Sequence, residues 1–288
     1  MKKFLCLTFI MAFSLNVFAQ QDSSDEKIVT TKFSFLTGQA TVANHYFSNQ
    51  EYSNGLLLGA AVDFGSFYRS NRNLSWDLDL SYVGSDAKSS NAPTNPAGTA
   101  SLGVCDIEVE YATAYNWNPI KNLYLKAGGA FNINGGFFSA PSSINNVFDF
   151  LMQPQLKAVG AIKYGWSFKK MNLNLFADLG IPFMGLAMVG SRYEGTKESI
   201  KTLISNNLSR PSIAHWMFTS FHNLQGLDLN IGVDMEFKHF SLMASIDTRN
   251  RWWHAYDVQC YKKYTLFNLG IAVDLVSRSR LSSNNRYF

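Results

Sequence analysis

Hydrophobic and polar residues alternate along most of this chain with a period of two. In the clearest example, 102–117, one face is acidic and the other is apolar. The acidic face carries Asp106, Glu108 and Glu110, and the apolar face carries Cys105, Ile107, Val109, Tyr111, Tyr115 and Trp117. After a short turn at 118–122, the stretch 123–134 repeats the pattern. Alternation at 180° per residue predicts β-strands.

The length of these strands is informative. Strands in globular proteins average about 5–6 residues, whereas a tilted strand that crosses a bilayer needs roughly 9–11. Both arms of the predicted hairpin reach the second length. Its charged face would then line a lumen and its apolar face would contact lipid. The pattern therefore predicts a transmembrane β-barrel.

Ten stretches are predicted as strands: 31–42, 54–69, 74–83, 102–117, 123–134, 155–169, 173–183, 226–238, 239–250 and 264–277. Short connections near 70–73, 118–122, 169–172 and 238–239 alternate with longer ones at 43–53, 84–101, 135–152, 187–225 and 251–263. Short periplasmic turns and long outer loops are typical of outer-membrane barrels. We therefore predict an all-β, antiparallel, up-and-down barrel of about ten strands with both termini in the periplasm. A further strand pair at 212–222 would make twelve.

The N-terminus has the features of a secretory signal peptide. Lys2 and Lys3 precede a largely apolar run, which ends in the small residues Val17 and Ala19 of a cleavage site. An N-terminal membrane anchor is the alternative, although the run is short for a spanning helix. The predicted division is a signal peptide, a periplasmic tail, the barrel and a second tail: 1–19, 20–30, 31–277 and 278–288.

The net charge bears on nucleic-acid binding, and the cysteines bear on a possible disulfide bond. The formal net charge is only +4, with no concentrated basic stripe, so nucleic-acid binding is not predicted. Cys105 and Cys260 remain after the signal peptide, and an exported protein can join them in a disulfide. Alternatively, Cys105 is a small apolar side chain that faces lipid.

The positions predicted to face the lumen contain more acids than bases. The acids are Asp63, Asp77, Asp79, Asp106, Glu108, Glu110, Asp178, Asp228, Asp234, Glu236, Asp247 and Asp274, and the bases are Arg69, Lys126, Lys157, Lys163, Lys238 and Arg249. Ten strands enclose little more than the volume of their own side chains. An internal network of ion pairs and water is therefore one interpretation, and a narrow cation-preferring path is the other.

A calcium site is a further hypothesis for the same residues. Asp77 and Asp79 would face Asp106, Glu108 and Glu110 across neighbouring strands, and carboxylate oxygens suit calcium. No other cofactor is predicted.

Aromatic residues and histidines lie near the predicted strand ends. Trp117 and Tyr124 at one rim, and Trp252, Trp253, Tyr256, Tyr261 and Tyr264 at the other, predict girdles at the membrane interfaces. At the outer rim, His254 and Asp257 are three residues apart, and His254 could act as a general base. No nucleophile motif accompanies them, so an interfacial histidine is the alternative.

Several segments resemble parts of known proteins. Asn44–Gly55 resembles a motif of an uncharacterised Bacteroidetes outer-membrane barrel family, a Tyr-x-Ser-x-x-Glu-Tyr run ending near a glycine. The matching residues are Tyr46, Ser48, Glu51, Tyr52 and Gly55, and the segments 95–98 and 185–194 look similar to it too. The family is a domain of unknown function, so the resemblance implies an outer-membrane location and no reaction. Asn268–Leu275 resembles the assembly signal of outer-membrane barrels, which implies the barrel-assembly machinery as a partner.

The expected function is that of an integral outer-membrane barrel with a structural, passive-permeation or surface-interaction role. Membrane lipid and small cations are the other expected partners. An outer-membrane hydrolase acting on lipid or peptide at the extracellular rim is the alternative, and a soluble exported β-sandwich is a third.

Overall fold

The computed structural model describes residues 26–44, 51–69, 74–89, 101–139, 148–188, 216–237, 240–255 and 258–277. Eleven β-strands account for most of these residues. They are β1 Glu26–Asn44, β2 Glu51–Arg69, β3 Leu74–Ser89, β4 Ser101–Ile120, β5 Leu123–Ser139, β6 Phe148–Ser167, β7 Asn172–Met188, β8 Trp216–Ser220, β9 Leu224–Glu236, β10 Phe240–Ala255 and β11 Val258–Ser277. Across these ranges, no helix is long and apolar enough to span a membrane.

The strands form one antiparallel sheet that closes into a barrel. Neighbouring strands pair in chain order, and β11 returns to pair with β1 along 28–44. β7 pairs with β9 along 172–180 and with β8 along 184–188. β8 and β9 therefore share one position of a ring that has ten positions in the described chain. The predicted all-β, up-and-down barrel is confirmed, and the β-sandwich hypothesis is wrong.

In the described part of the region considered for an extra strand pair, 216–222, there is one short strand followed by a turn. β8 is separated from β9 by the turn Phe221–Asn223. The Ser220 N–H donates to Asn223 Oδ1 at 2.8 Å, and Asn223 Nδ2 donates to the Phe218 carbonyl oxygen at 3.1 Å. The β7 ladder to β8 and β9 is interrupted around Pro182, which has no N–H to donate.

Most outward-facing side chains are apolar, as the alternation predicts, and many are exposed; examples are Leu80 at 47%, Ile107 at 49% and Ile246 at 56%. Trp117 also lies on this outer surface. The assignment of three aromatic residues to the girdles is wrong, because Tyr124, Trp253 and Tyr264 face the lumen and are buried. A change of one position in a strand moves a side chain to the other face. Tyr256 lies outside the described residues.

The strands extend further than predicted at several ends. β1 begins at Glu26, so the predicted periplasmic tail at 20–30 overlaps a strand. The alternation of β1 is ambiguous because both of its faces carry apolar residues. Phe33 and Phe35 point outward, whereas Leu36, Ala40 and Val42 are buried in the lumen.

Candidate functional site

The half of the lumen nearer the longer connections is filled by a hydrophobic cluster, which we call the apolar layer. Every strand except β7 and β8 contributes to it. Its members are Leu36, Ala40, Val42, Tyr52, Leu57, Ala61, Val83, Leu102, Val104, Phe138, Leu151, Leu224, Trp253, Cys260, Tyr264 and Leu266. Trp253 is 1% exposed and Phe138 is 0% exposed, so the described side chains leave little free space in this layer.

A network of buried charges lies next to the apolar layer, and we call it the ion layer. It consists of Glu108, Glu110, Lys157, Asp228, Asp247, Arg249 and Arg251. Glu108 is its centre, because its carboxylate accepts from Arg251 Nη2 at 2.5 Å, Arg249 Nη1 at 2.8 Å and Lys157 Nζ at 3.2 Å. These contacts join β4, β6 and β10 across the lumen.

The other members of the ion layer complete the pairing. Lys157 Nζ lies 2.6 Å from both Glu110 Oε2 and Asp228 Oδ2. Asp228 also pairs with Arg251 at 3.1 Å. A buried charge is costly unless an opposite charge and hydrogen bonds compensate it. The ion pairs across the lumen supply the opposite charges, whereas Asp228 Oδ1 and Arg251 Nε have no hydrogen-bond partner among the described residues.

Asp106 forms a separate buried charge pair that borders the apolar layer. Its carboxylate accepts from Lys262 Nζ at 2.7 Å and from the Tyr264 hydroxyl group. The Lys262 ammonium group also lies 5.1 Å from the centre of the Phe138 ring, which suits a cation–π interaction.

A cavity of about 310 Å³ lies on the other side of the ion layer, towards the short turns. It is lined by Asp63, Asp77, Asp79 and Asp178, among other residues. Lys32 pairs with Asp63 at 2.7 Å, and Lys126 pairs with Asp77. Asp63 and Asp79 are direct cross-strand neighbours, and a buried Oδ1 atom of each has no hydrogen-bond partner in the described chain. The cavity is therefore polar and acidic.

The structure places the predicted lumen charges inside the barrel. These are Asp106, Glu108, Glu110, Lys126, Lys157, Asp178, Asp234, Glu236, Asp247 and Arg249. Lys32, Arg251 and Lys262 also face the lumen and were not predicted from the sequence. Lys32 lies in the strand with ambiguous alternation, and the other two lie in a segment predicted as a loop. The side chains of Arg69, Lys238 and Asp274 lie outside the described set.

The carboxylates considered for calcium are mostly engaged by cations. Asp77 pairs with Lys126, Asp106 with Lys262, and Glu108 and Glu110 with Lys157. Among the described residues, no group of three or more His, Cys, Asp or Glu side chains is arranged to hold a metal ion.

The structure also shows where the rim histidine His254 and two of the cysteines lie. His254 lies on β10, with its ring edge-on to Trp252 at a centroid distance of 4.2 Å. Asp257 lies outside the described residues, so the His254–Asp257 pairing stays a prediction. Cys105 and Cys260, the two cysteines among the described residues, are free. Cys105 lies on the outer surface and Cys260 is buried in the lumen, which does not fit a disulfide between them.

Comparisons with known structures return outer-membrane barrels at low similarity. The outer membrane protease OmpT from Escherichia coli shares 7% identity over 86% of this chain and 96% of that chain, with a TM-score of 0.40. The translocator domain of the autotransporter NalP from Neisseria meningitidis shares 9% identity over 94% and 97%, with a TM-score of 0.39. An outer membrane channel from Pseudomonas putida F1 shares 10% identity over 88% and 97%, with a TM-score of 0.35. At these values none of them supports an assignment of function.

No protein with a curated description matches the sequence. One family does, and its match at residues 4–279 covers most of the chain. The chain therefore belongs to the family described as "Protein of unknown function (DUF3316)".

Proposed function

We propose that this protein is an integral outer-membrane barrel with a closed lumen, in a structural or surface-interaction role. The observation that carries the proposal is the filling of the lumen by two adjoining layers, the apolar layer and the ion layer. The apolar outer surface supports the membrane location, because exposed apolar surface of this extent is rare on soluble monomers.

A closed lumen is supported by the burial of the side chains that meet inside the barrel. Lys157 is 3% exposed, Arg251 4% and Trp253 1%. A continuous water path past them requires separation of ion pairs that lie at 2.5–3.2 Å. Breaking a buried ion pair costs about 3–5 kcal/mol, so we expect spontaneous opening to be rare.

Conductance in planar lipid bilayers tests the closed lumen. We expect the purified, folded protein to insert without discrete current steps. Reproducible steps from single insertions would contradict the proposal. Steps with cation selectivity would support a second candidate function, passive cation permeation, which is favoured by the acidic cavity.

The orientation has its own test. We propose that both termini lie in the periplasm, as expected when the short turns are periplasmic. A cysteine added after Phe288 in a Cys105→Ser/Cys260→Ser background should resist an impermeant maleimide in intact cells and react after the outer membrane is opened. Labelling in intact cells would reverse the orientation.

The proposed assembly partner is the barrel-assembly machinery, acting through Asn268–Leu275. This segment lies in β11, the strand that closes the ring against β1. Replacing Ile271 and Val273, whose side chains are 44% and 38% exposed, by serine should lower the amount of assembled barrel in the outer membrane. The same double replacement at Ile107 and Val109 of β4 is the control for a general loss of lipid-facing apolar surface.

A further inference from the structure

The outer surface carries a group of polar side chains on three adjacent strands, which we call the polar patch. It consists of Gln39, Thr41, Thr248, Asn250, Lys263 and Thr265, on β1, β10 and β11. The register joins them in two rows: Gln39–Thr265–Thr248 and Thr41–Lys263–Asn250. None is buried, and Gln39, Lys263 and Thr265 are exposed.

Mostly apolar side chains border the polar patch on three sides. Towards the short turns, the next outward row consists of Thr37, Phe267 and Ile246, and Phe35 follows Thr37 on β1. Phe35, Ile246 and Phe267 are 53%, 56% and 45% exposed. Leu56 of β2 pairs in register with Gln39 and is 65% exposed, and Leu227 of β9 pairs with Asn250 and is 40% exposed. The polar patch is therefore a local gap in the apolar outer surface. It is not a border that runs around the whole barrel.

The wall on the opposite side of the barrel shows no such interruption. Glu108 gives a common reference level, because it contacts Lys157 of β6 and both Arg249 and Arg251 of β10. Beyond Lys157, towards the longer connections, the outward positions of β6 are Leu156, Pro154 and Met152. At the corresponding level of β10, between its two arginines, the outward residue is Asn250. The apolar surface thus ends lower at the polar patch than it does on β6.

A bilayer that covers the β6 wall therefore brings hydrocarbon towards polar groups on the other side. Polar side chains in hydrocarbon are costly unless hydrogen bonds satisfy them. We propose that the polar patch binds the phosphorylated head group of an outer-leaflet glycolipid. Lys263 would pair with a phosphate, while the amides of Gln39 and Asn250 and the threonine hydroxyls bond to phosphate or sugar oxygens.

The charge of the polar patch favours this occupant over a second copy of the chain. The patch contains one cation, Lys263, and no carboxylate. One row beyond it, towards the longer connections, the Glu51 carboxylate accepts a hydrogen bond from the Tyr261 hydroxyl group. Lys263 has no ion-pair partner in the described part of the chain. A symmetric dimer through this surface would bring two such lysines together without a compensating acid. An anionic head group supplies the missing charge.

The inference rests on the proposed function, since that function places this end of the barrel in the outer leaflet. Native mass spectrometry of the full chain in detergent, titrated with bisphosphorylated lipid A, tests it, with phosphatidylcholine as the uncharged comparison. We expect the wild type to retain lipid A about tenfold more tightly than phosphatidylcholine, the ratio that one charge-assisted pair can give.

Lys263→Gln should reduce lipid A retention to about the level of phosphatidylcholine. The matched control is Lys170→Gln, which removes an exposed lysine at the short-turn end and should leave retention unchanged. Equal retention by Lys263→Gln and wild type overturns the proposal, and so does a dimer that Lys263→Gln dissociates. Neither result would contradict the closed lumen, which is tested by the absence of conductance steps in planar bilayers. Conductance steps, in turn, would not contradict a measured preference for lipid A. The two proposals can therefore fail independently.

Discussion

Glu108 has an unusual number of charged partners for one carboxylate. Three cations converge on it, whereas Glu110, two residues away on the same face, pairs with one cation among the described residues, Lys157. Glu108→Gln keeps the shape of the side chain and removes the charge, so three buried cations each lose one partner at once. Each keeps another carboxylate: Asp228 for Lys157 and Arg251, and Asp247 for Arg249. We expect a loss of about 3–5 kcal/mol in the free energy of unfolding, measured by urea titration in lipid vesicles.

Glu110→Gln is the matched control for that substitution. Lys157 retains Glu108 and Asp228 as partners, so the expected loss is about 1 kcal/mol. Equal losses for the two variants would contradict the central position of Glu108 in the ion layer.

Asp79 differs from the other cavity carboxylates because it lies directly across from Asp63 and has no cation within ion-pair distance among the described residues. Like charges at directly opposed positions of a sheet are destabilising by about 0.2–1 kcal/mol. We therefore expect Asp79→Asn to leave the barrel as stable as the wild type or more stable. The measurement is again urea unfolding in vesicles.

Asp77→Asn provides the comparison for Asp79→Asn. It removes the ion-pair partner of Lys126, which leaves a half-buried ammonium group, and we expect it to cost about 1–3 kcal/mol. A loss in Asp79→Asn as large as that in Asp77→Asn would mean that Asp79 has a stabilising partner, such as a bound cation.

The sequence was sufficient to predict most of the charges that face the lumen, because alternation along a strand decides that wherever the pattern and the strand ends are clear. It was not sufficient to predict the pairing. Lys157 and Arg251 meet Glu108 only because β6 and β10 face β4 across the lumen, and that depends on ring closure and register. Arg251 and Lys262 were not predicted because one predicted strand ended at 250 and the next began at 264. In the structure both strands are longer, and the alternation that points these two side chains inward continues to them.

At the scale of elements, the break between β8 and β9 depends on one side chain more than on the strands themselves. Asn223 makes two side-chain hydrogen bonds that hold the turn, and its carbonyl oxygen accepts from the His254 N–H at 2.9 Å. This turn was not predictable from alternation, because β8 has only five residues and Asx-type turns satisfy the backbone locally.

Asn223→Ala should therefore loosen β8 without opening the ring. Loss of the two hydrogen bonds is expected to cost about 1–3 kcal/mol. Hydrogen exchange of the 217–220 amides should accelerate, while that of the β9–β10 ladder stays near the wild-type rate. Asn118→Ala, at an exposed position, is the control. Equal acceleration throughout the barrel would show that the turn is not a local unit.

At the scale of the molecule, alternation predicted the barrel class because it reports two different environments on the two faces of a strand. It did not predict that the lumen itself has two environments, one apolar and one ionic. The inward residues of the apolar layer are as apolar as the outward ones. Alternation along the strand therefore does not show which of the two faces points into the lumen, as in β1. Only closure of the ring shows that Leu36, Trp253 and Phe138 share one cluster.

We expect each of the two layers to close the lumen without the other, and conductance measurements test this. Phe138→Ala/Trp253→Ala opens the apolar layer, and Arg249→Ala/Arg251→Ala removes two cations from the ion layer. We expect each double variant to remain silent in planar bilayers, because the other layer still fills the lumen. The quadruple variant should conduct, with preference for cations, because the inward acids then exceed the inward bases by a wider margin.

Circular dichroism in detergent must show unchanged β content for each variant, so that loss of folding is not mistaken for closure. Conduction by Arg249→Ala/Arg251→Ala alone would mean that the apolar layer does not seal the lumen. Conduction by Phe138→Ala/Trp253→Ala alone would mean the same for the ion layer. A silent, folded quadruple variant would show that a further part of the chain closes the barrel, since the described side chains in both layers would then be insufficient.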